Sequence, residues 1–145
     1  MFSKACQYAI KSLIFISQEA LSGKTTNVKE ISIATNSPKA FVGKILQQLT
    51  KEGILISTKG KQGGFSVDLE KIEFLKIYDI IKIIDGENIF KQCGLGLKFC
   101  SAVNPCPVHD DYNLIKERIL QLSHKYSFYD LALKTDQGFA WLKND

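Results

Sequence analysis

Apolar residues return every three or four positions along most of this 145-residue chain. That is the spacing of amphipathic helices, not the alternation of strands. Phe2, Cys6, Ala9, Leu13, Ile16 and Ala20 predict a helix over residues 2–20 with one apolar stripe. A polar break at 22–26 follows. Asn27 with Glu30 has capping-box spacing and opens a short helix to Thr35, with Val28, Ile31 and Ala34 inward. Ser37 as cap and Pro38 as first helical residue predict a third helix to Glu52. Phe41, Ile45 and Leu49 form its buried face, widened by Val42 and Leu46, and Gly53 ends it. Two short helices across a tight turn, behind a leading helix, are a helix-turn-helix pattern.

The pattern then changes. Residues 54–57 and 65–69 read as two strands around a glycine-rich basic turn, the order of a winged helix. Ile72, Leu75, Ile80, Ile83 and Ile84 predict a connecting helix over 71–85. Residues 86–107 carry glycine, proline and cysteine without periodicity, a long loop of the kind that usually serves function. A long helix is expected over 107–126. Its residues Tyr112, Ile115, Ile119, Leu122 and Tyr126 are spaced close to a heptad, which suits either a dimer seam or an internal core face. In the tail, Phe139, Trp141 and Leu142 are expected to pack on the body or on a partner. The expected fold is mainly α with a small β-hairpin. Residues 1–70 form a winged helix-turn-helix domain, 71–85 a connecting helix and 86–107 a cysteine-rich loop. Residues 107–145 form a dimerisation helix and tail.

Charge sharpens this picture. Residues 1–70 hold nine lysines against five acids, while 71–145 balance ten basic against ten acidic residues. The whole formal excess of +4 lies in the half with the helix-turn-helix pattern, which points to a polyanionic partner, double-stranded DNA. On the third helix, Ser37, Lys39, Ala40, Gly43 and Lys44 are candidates for base edges and phosphates. In the turn, Lys59, Gly60, Lys61 and Gln62 are candidates for the wing. Apolar runs such as 13–16 are too short to span a bilayer, and no apolar segment follows the first residues, so a cytoplasmic protein is expected, without a membrane partner. Nothing resembles a nucleotide fingerprint or a catalytic constellation, so an enzyme is not expected.

The cysteines carry the candidate chemistry. Cys93, Cys100 and Cys106 fall within fourteen residues, and His109 follows three residues later. Clustered thiols in a reducing compartment suit metal binding or redox sensing. The gaps of six and five residues are wider than the short pairs of structural zinc sites, so a loop around an iron–sulfur cluster fits better. Cys106 is expected at a helix start, where the dipole favours thiolate, and either His109 or Asp110 can complete the donor set. Cys6 reads as a small buried apolar residue and His124 as a surface residue. The rival readings are a clusterless thiol or zinc switch on a DNA-binding regulator, and a small iron–sulfur electron carrier.

The opening Met1-Phe2-Ser3-Lys4-Ala5-Cys6-Gln7-Tyr8-Ala9, then Pro38-Lys39-Ala40-Phe41, then Gly60-Lys61-Gln62-Gly63-Gly64-Phe65 and the cysteine triplet resemble the IscR/NsrR-type winged-helix regulators, over roughly residues 1–135. The resemblance implies a homodimeric bacterial transcription regulator, usually a repressor acting on a pseudo-palindromic operator. It implies an iron–sulfur cluster that senses redox state, nitric oxide, iron or cluster supply. Carried over by position, Cys93, Cys100 and Cys106 are ligands and His109 matches the histidine of the 2Fe–2S members; 4Fe–4S is the alternative. Two departures stand out. The first cysteine gap is six residues where five is common, and Gly43 replaces a glutamate that tunes site choice.

Overall fold

The computed structural model describes residues 1–144. Its elements are α1 (Lys4–Leu21), α2 (Val28–Thr35), α3 (Lys39–Lys51), β1 (Ile56–Thr58), β2 (Gly64–Ser66), α4 (Leu69–Ile72), α5 (Ile77–Ile84), α6 (Asn88–Lys91), α7 (His109–Lys125) and α8 (Phe128–Asp136). Helix α1 is the axis of the packing. Its stripe of Cys6, Ala9, Leu13, Ile16 and Ala20 is buried, and α2, α3, α4, α5, α8 and β2 all lie against it. Phe2 stands outside the helix, because Ser3 is the N-cap and accepts the Cys6 N–H. The core continues through Ile31, Val42, Leu46, Leu49, Ile72, Ile80 and Phe128, all at most 1% exposed.

Asn27 and Glu30 close the expected capping box at the start of α2. The helix ends at Asn36, the only non-glycine residue with positive φ (47°) among the described residues. Pro38 is the N-cap of α3 rather than its first residue. The buried face of α3 is Val42, Ile45, Leu46 and Leu49; Phe41 lies outside it, 54% exposed, with its ring 6.0 Å from that of Tyr8. The strands are shorter than expected. They pair antiparallel with Ser57 opposite Phe65, and an isolated bridge joins Phe65 to Thr26 just before α2.

The expected helix over 71–85 is two helices, α4 and α5, broken at residues 73–76. Leu75 is buried at the break and its carbonyl accepts the Phe128 N–H at 3.0 Å. Sequence reading missed α8. Ser127 and Asp130 form its capping box, and Phe128, fully buried, drives it onto α1. Of the tail cluster, Leu142 is partly buried against the core, while Phe139 and Trp141 are 75% and 76% exposed. Helix α7 begins at His109, two residues later than expected. It touches α5 and α6 and leaves Leu114, Ile115 and Leu122 exposed.

Candidate DNA-reading face and cysteine centre

The helix-turn-helix is fixed by side chains around its turn. Ser32 Oγ donates to Ser37 O at 2.6 Å, and the Ser37 N–H donates to Ser32 O at 3.1 Å. The Ser37 side chain is buried, and its hydroxyl is hydrogen-bonded to Thr35 rather than presented at the surface. The other predicted residues of α3 lie on one open groove of about 610 Å³, lined by Val28, Lys39, Ala40, Gly43, Lys44 and Gln47. A Cβ at Gly43 would meet nothing within 4 Å, so the glycine leaves that face clear without being required for packing. Gln48 lies outside this groove and donates to Ile83 O at 3.3 Å.

The wing tip, Lys59, Gly60, Lys61 and Gln62, is fully at the surface. Its geometry rests on two adjacent glycines. A Cβ at Gly63 would stand 2.0 Å from the Thr58 carbonyl oxygen. Gly64, at φ +148°, would bring one 2.5 Å from Thr26 O. Both approaches are below any real carbon contact, so this hairpin needs glycine at both positions. The bridge through Thr26 ties the wing to the base of α2, so the wing and the helix-turn-helix form one surface.

The four predicted metal donors come together as two pairs. Cys93 is buried, with the backbone amides of Leu95, Leu97 and Gly96 and the Cys106 thiol all favouring its thiolate. The Leu95 and Leu97 amides, helped by Cys106, hold the Cys93 thiol below its ordinary pKa against the opposing effect of burial. Cys100 Sγ lies 3.6 Å from His109 Nδ1, whose Nε2 is 2.9 Å from Asn113 Nδ2. Lys116, 7% exposed, donates to Cys100 Sγ at 3.3 Å and to Gln92 O at 3.4 Å. Tyr112 faces this centre: its ring packs on Gly94, where a Cβ would come within 2.8 Å, and lies beneath the Lys116 ammonium. Among the described residues, no three His, Cys, Asp or Glu side chains are grouped to hold a single metal ion.

Two pairs of donors nevertheless suit a two-iron cluster, in which each iron takes two protein ligands. Backbone amides and a buried ammonium directed at sulfur are the surroundings an anionic thiolate–cluster unit requires. The donor set therefore fits an iron–sulfur cluster. Val108, not Pro107, precedes the first helical residue, and Cys106 accepts the His109 N–H through its carbonyl at 3.0 Å. Cys6 is buried at 0% exposure, and burial first, then Asp85, pushes its thiol up to about 12. His124 is exposed but stacked on Tyr78 with ring centroids 4.2 Å apart.

On α7, Leu114, Ile115, Arg118, Ile119 and Leu122 line an apolar groove of about 430 Å³ together with Met1. Ile115, Ile119 and Leu122 belong to the predicted seam. Tyr112 turns to the cysteine centre, and Tyr126 lies beneath Lys134 Nζ, 3.9 Å away.

A basic helix-turn-helix face joined to a hairpin wing defines a winged-helix DNA-binding regulator. The comparisons agree and go further. The profile of the Rrf2 family, described as an iron-dependent transcriptional regulator, matches residues 2–134, and the chain belongs to that family. An HTH-type transcriptional regulator of Aquifex aeolicus is 31% identical over 121 residues, 82% of either chain. The HTH-type transcriptional regulator NsrR of Bacillus licheniformis is 22% identical, covering 89% of this chain and 90% of its own. Among solved structures, CymR, the global cysteine regulator of B. subtilis, superposes with a TM-score of 0.75 at 17% identity, covering 94% of this chain and 98% of its own. T. potens IscR gives 0.71 at 17%, covering 97% and 91%. The protein is a transcription regulator and not an enzyme.

Proposed function

We propose that this regulator is a homodimeric repressor whose grip on a pseudo-palindromic operator is set by a 2Fe–2S cluster held by Cys93, Cys100, Cys106 and His109. The observation that carries the reading is the division of these donors into a Cys93–Cys106 pair and a Cys100–His109 pair. Such a group supplies one-electron chemistry and lability toward iron loss or nitric oxide. The chain's own residues do the rest. Lys39, Ala40, Gly43 and Lys44 lie against base edges and phosphates in the major groove, and Lys59, Gly60, Lys61 and Gln62 touch phosphates or the minor groove. Ile115, Ile119 and Leu122 of two copies pair to set the spacing of the two reading heads. Residues 86–107, tied through Cys100 and Gly94 to Lys116 and Tyr112 of α7, change the pose of those heads when their anchoring changes. All of this takes place on DNA in the cytoplasm, with no membrane partner; no helix among the described residues is long and apolar enough to cross a bilayer.

A second reading has one observation in its favour. Cys106 acts on the Cys93 thiol and favours its thiolate, the form that a clusterless thiol switch would use. Anaerobic purification with iron, sulfide and visible-absorption analysis separates the two. The cluster reading expects a coloured protein with about two irons and two sulfides per chain, lost in Cys100→Ser. A colourless protein that resists reconstitution and whose DNA affinity follows thiol oxidation overturns it in favour of the switch.

A further inference from the structure

One lysine of α1 points neither to solvent nor to the cysteine centre. The half-buried Lys11 carries its Nζ to the main-chain oxygen of Thr35, 2.6 Å away. Thr35 is the last residue of α2, so this oxygen belongs to a helix end that lacks an internal donor. Three further constraints meet at the same place. Thr35 Oγ1 donates to Ile31 O at 2.7 Å and lies 2.9 Å from Ser37 Oγ. Asn36 takes its left-handed conformation beside them. Lys11 Nζ also lies 5.5 Å from the centre of the Tyr8 ring, which leans on exposed Phe41 in the first turn of α3. One turn of α1 therefore holds both ends of the helix-turn-helix corner, the finish of α2 through Lys11 and the start of α3 through Tyr8.

We propose that Lys11, braced by Tyr8, is a positioning residue for sequence reading: it sets the angle at which α3 is presented to the major groove without itself touching DNA. Base readout requires side chains held within fractions of an ångström, whereas phosphate attraction does not. Core packing holds α2 and α3 on α1, and the bond from Lys11 to Thr35 O fixes the end of α2 four residues before Lys39, where the orientation of α3 is set. Burying α2 against α1 does not need this bond, because Ile31 and Leu13 supply that packing.

The test uses the full-length protein and a duplex selected by it from a random-sequence pool, compared with a scrambled duplex at several salt concentrations. Lys11→Met keeps the stem and removes the donor. Affinity for the selected duplex should fall about tenfold, the scale of a lost charge-assisted hydrogen bond. Affinity for the scrambled duplex and the salt slope should stay at wild-type values, and Lys11→Arg should recover most of the loss. Tyr8→Leu, which severs the brace with an apolar side chain, should lower the same ratio by a smaller factor and provides the reading if Lys11→Met folds poorly. Equal losses on both duplexes with a salt slope smaller by about one mean that Lys11 is a phosphate contact, which overturns the proposal. An unchanged ratio in folded Lys11→Met, or in Tyr8→Leu, overturns it as well.

Discussion

Two regions of this chain bury different things. In residues 1–85, and in α8, the large buried side chains are aliphatic and aromatic: Leu13, Ile31, Leu46, Ile80 and Phe128 share one core, and the polar residues buried beside them, such as Ser12, Thr35 and Ser37, are small. Among the described residues, none from 86 to 126 contributes to that core. Five residues of this stretch are buried, Cys93, Cys106, His109, Lys116 and Ser123, and none is a hydrocarbon side chain. The apolar residues of the stretch face outward instead, among them Phe99, Val103, Leu114 and Ile115. A region held by a hydrocarbon core is complete alone, whereas one held by sulfur, imidazole and ammonium gains its stability from what binds it. The reading half is thus a finished part, and in the proposed reading the cysteine half is finished by a ligand and a second copy.

The largest test of this contrast sets Phe128→Ala beside Cys100→Ser. The cavity left by Phe128 should destabilise the protein by about 3–5 kcal/mol in urea denaturation. Cys100→Ser should leave the main unfolding transition in place and change only the exposure of residues 86–126 to hydrogen exchange. Coincident loss of both regions in Cys100→Ser would erase the distinction.

A smaller effect belongs to the outward face of α7. Leu122→Glu places a charge in the proposed seam, and sedimentation should show a dimer at least about tenfold weaker, with fold and wing intact. An unaltered dimer would assign the pairing to a different face.

The smallest effect separates capping from packing inside the finished part. The Thr26 hydroxyl, then the Asn27 amide, hold the Glu30 carboxyl below its ordinary 4.5. The folded value lies below the unfolded one, so the stability it adds is fully present above about pH 4.5 and disappears as pH falls through the lowered value. Glu30→Gln should therefore be less stable than wild type at neutral pH and converge with it in acid. Parallel pH curves would remove Glu30 from the account.

The same contrast explains what could be read in the sequence. Where a core dictates periodicity, the helices of the reading half and the Asn27–Glu30 box were legible. Phe41 was misread because 41/45/49 and 42/46/49 are overlapping stripes of one helix, and only the position of α1 decides between them. Helix α8 left a signal, Ser127 with Asp130, that matches Asn27 with Glu30 in kind. The residues proposed as donors stood out in the sequence as a set. Their pairing did not, because it depends on where the amides of Leu95 and Leu97 point, and loop backbone leaves no periodic trace. Lys116 and Lys11 carried no signal at all: a lysine in a helical stripe reads as solvent-facing.

The two glycines under the wing have a consequence for genetics. At positions 63 and 64 every one of the nineteen alternatives adds atoms where Thr58 and Thr26 already stand. A random-mutagenesis screen for lost repression would thus return these codons over and over, through changes at either of their first two bases. Lys59 and Lys61, each backed by the other, would rarely surface in it. A tolerance map of this protein would mark the hinge pins of the wing in its darkest colour and leave the surfaces they carry nearly blank.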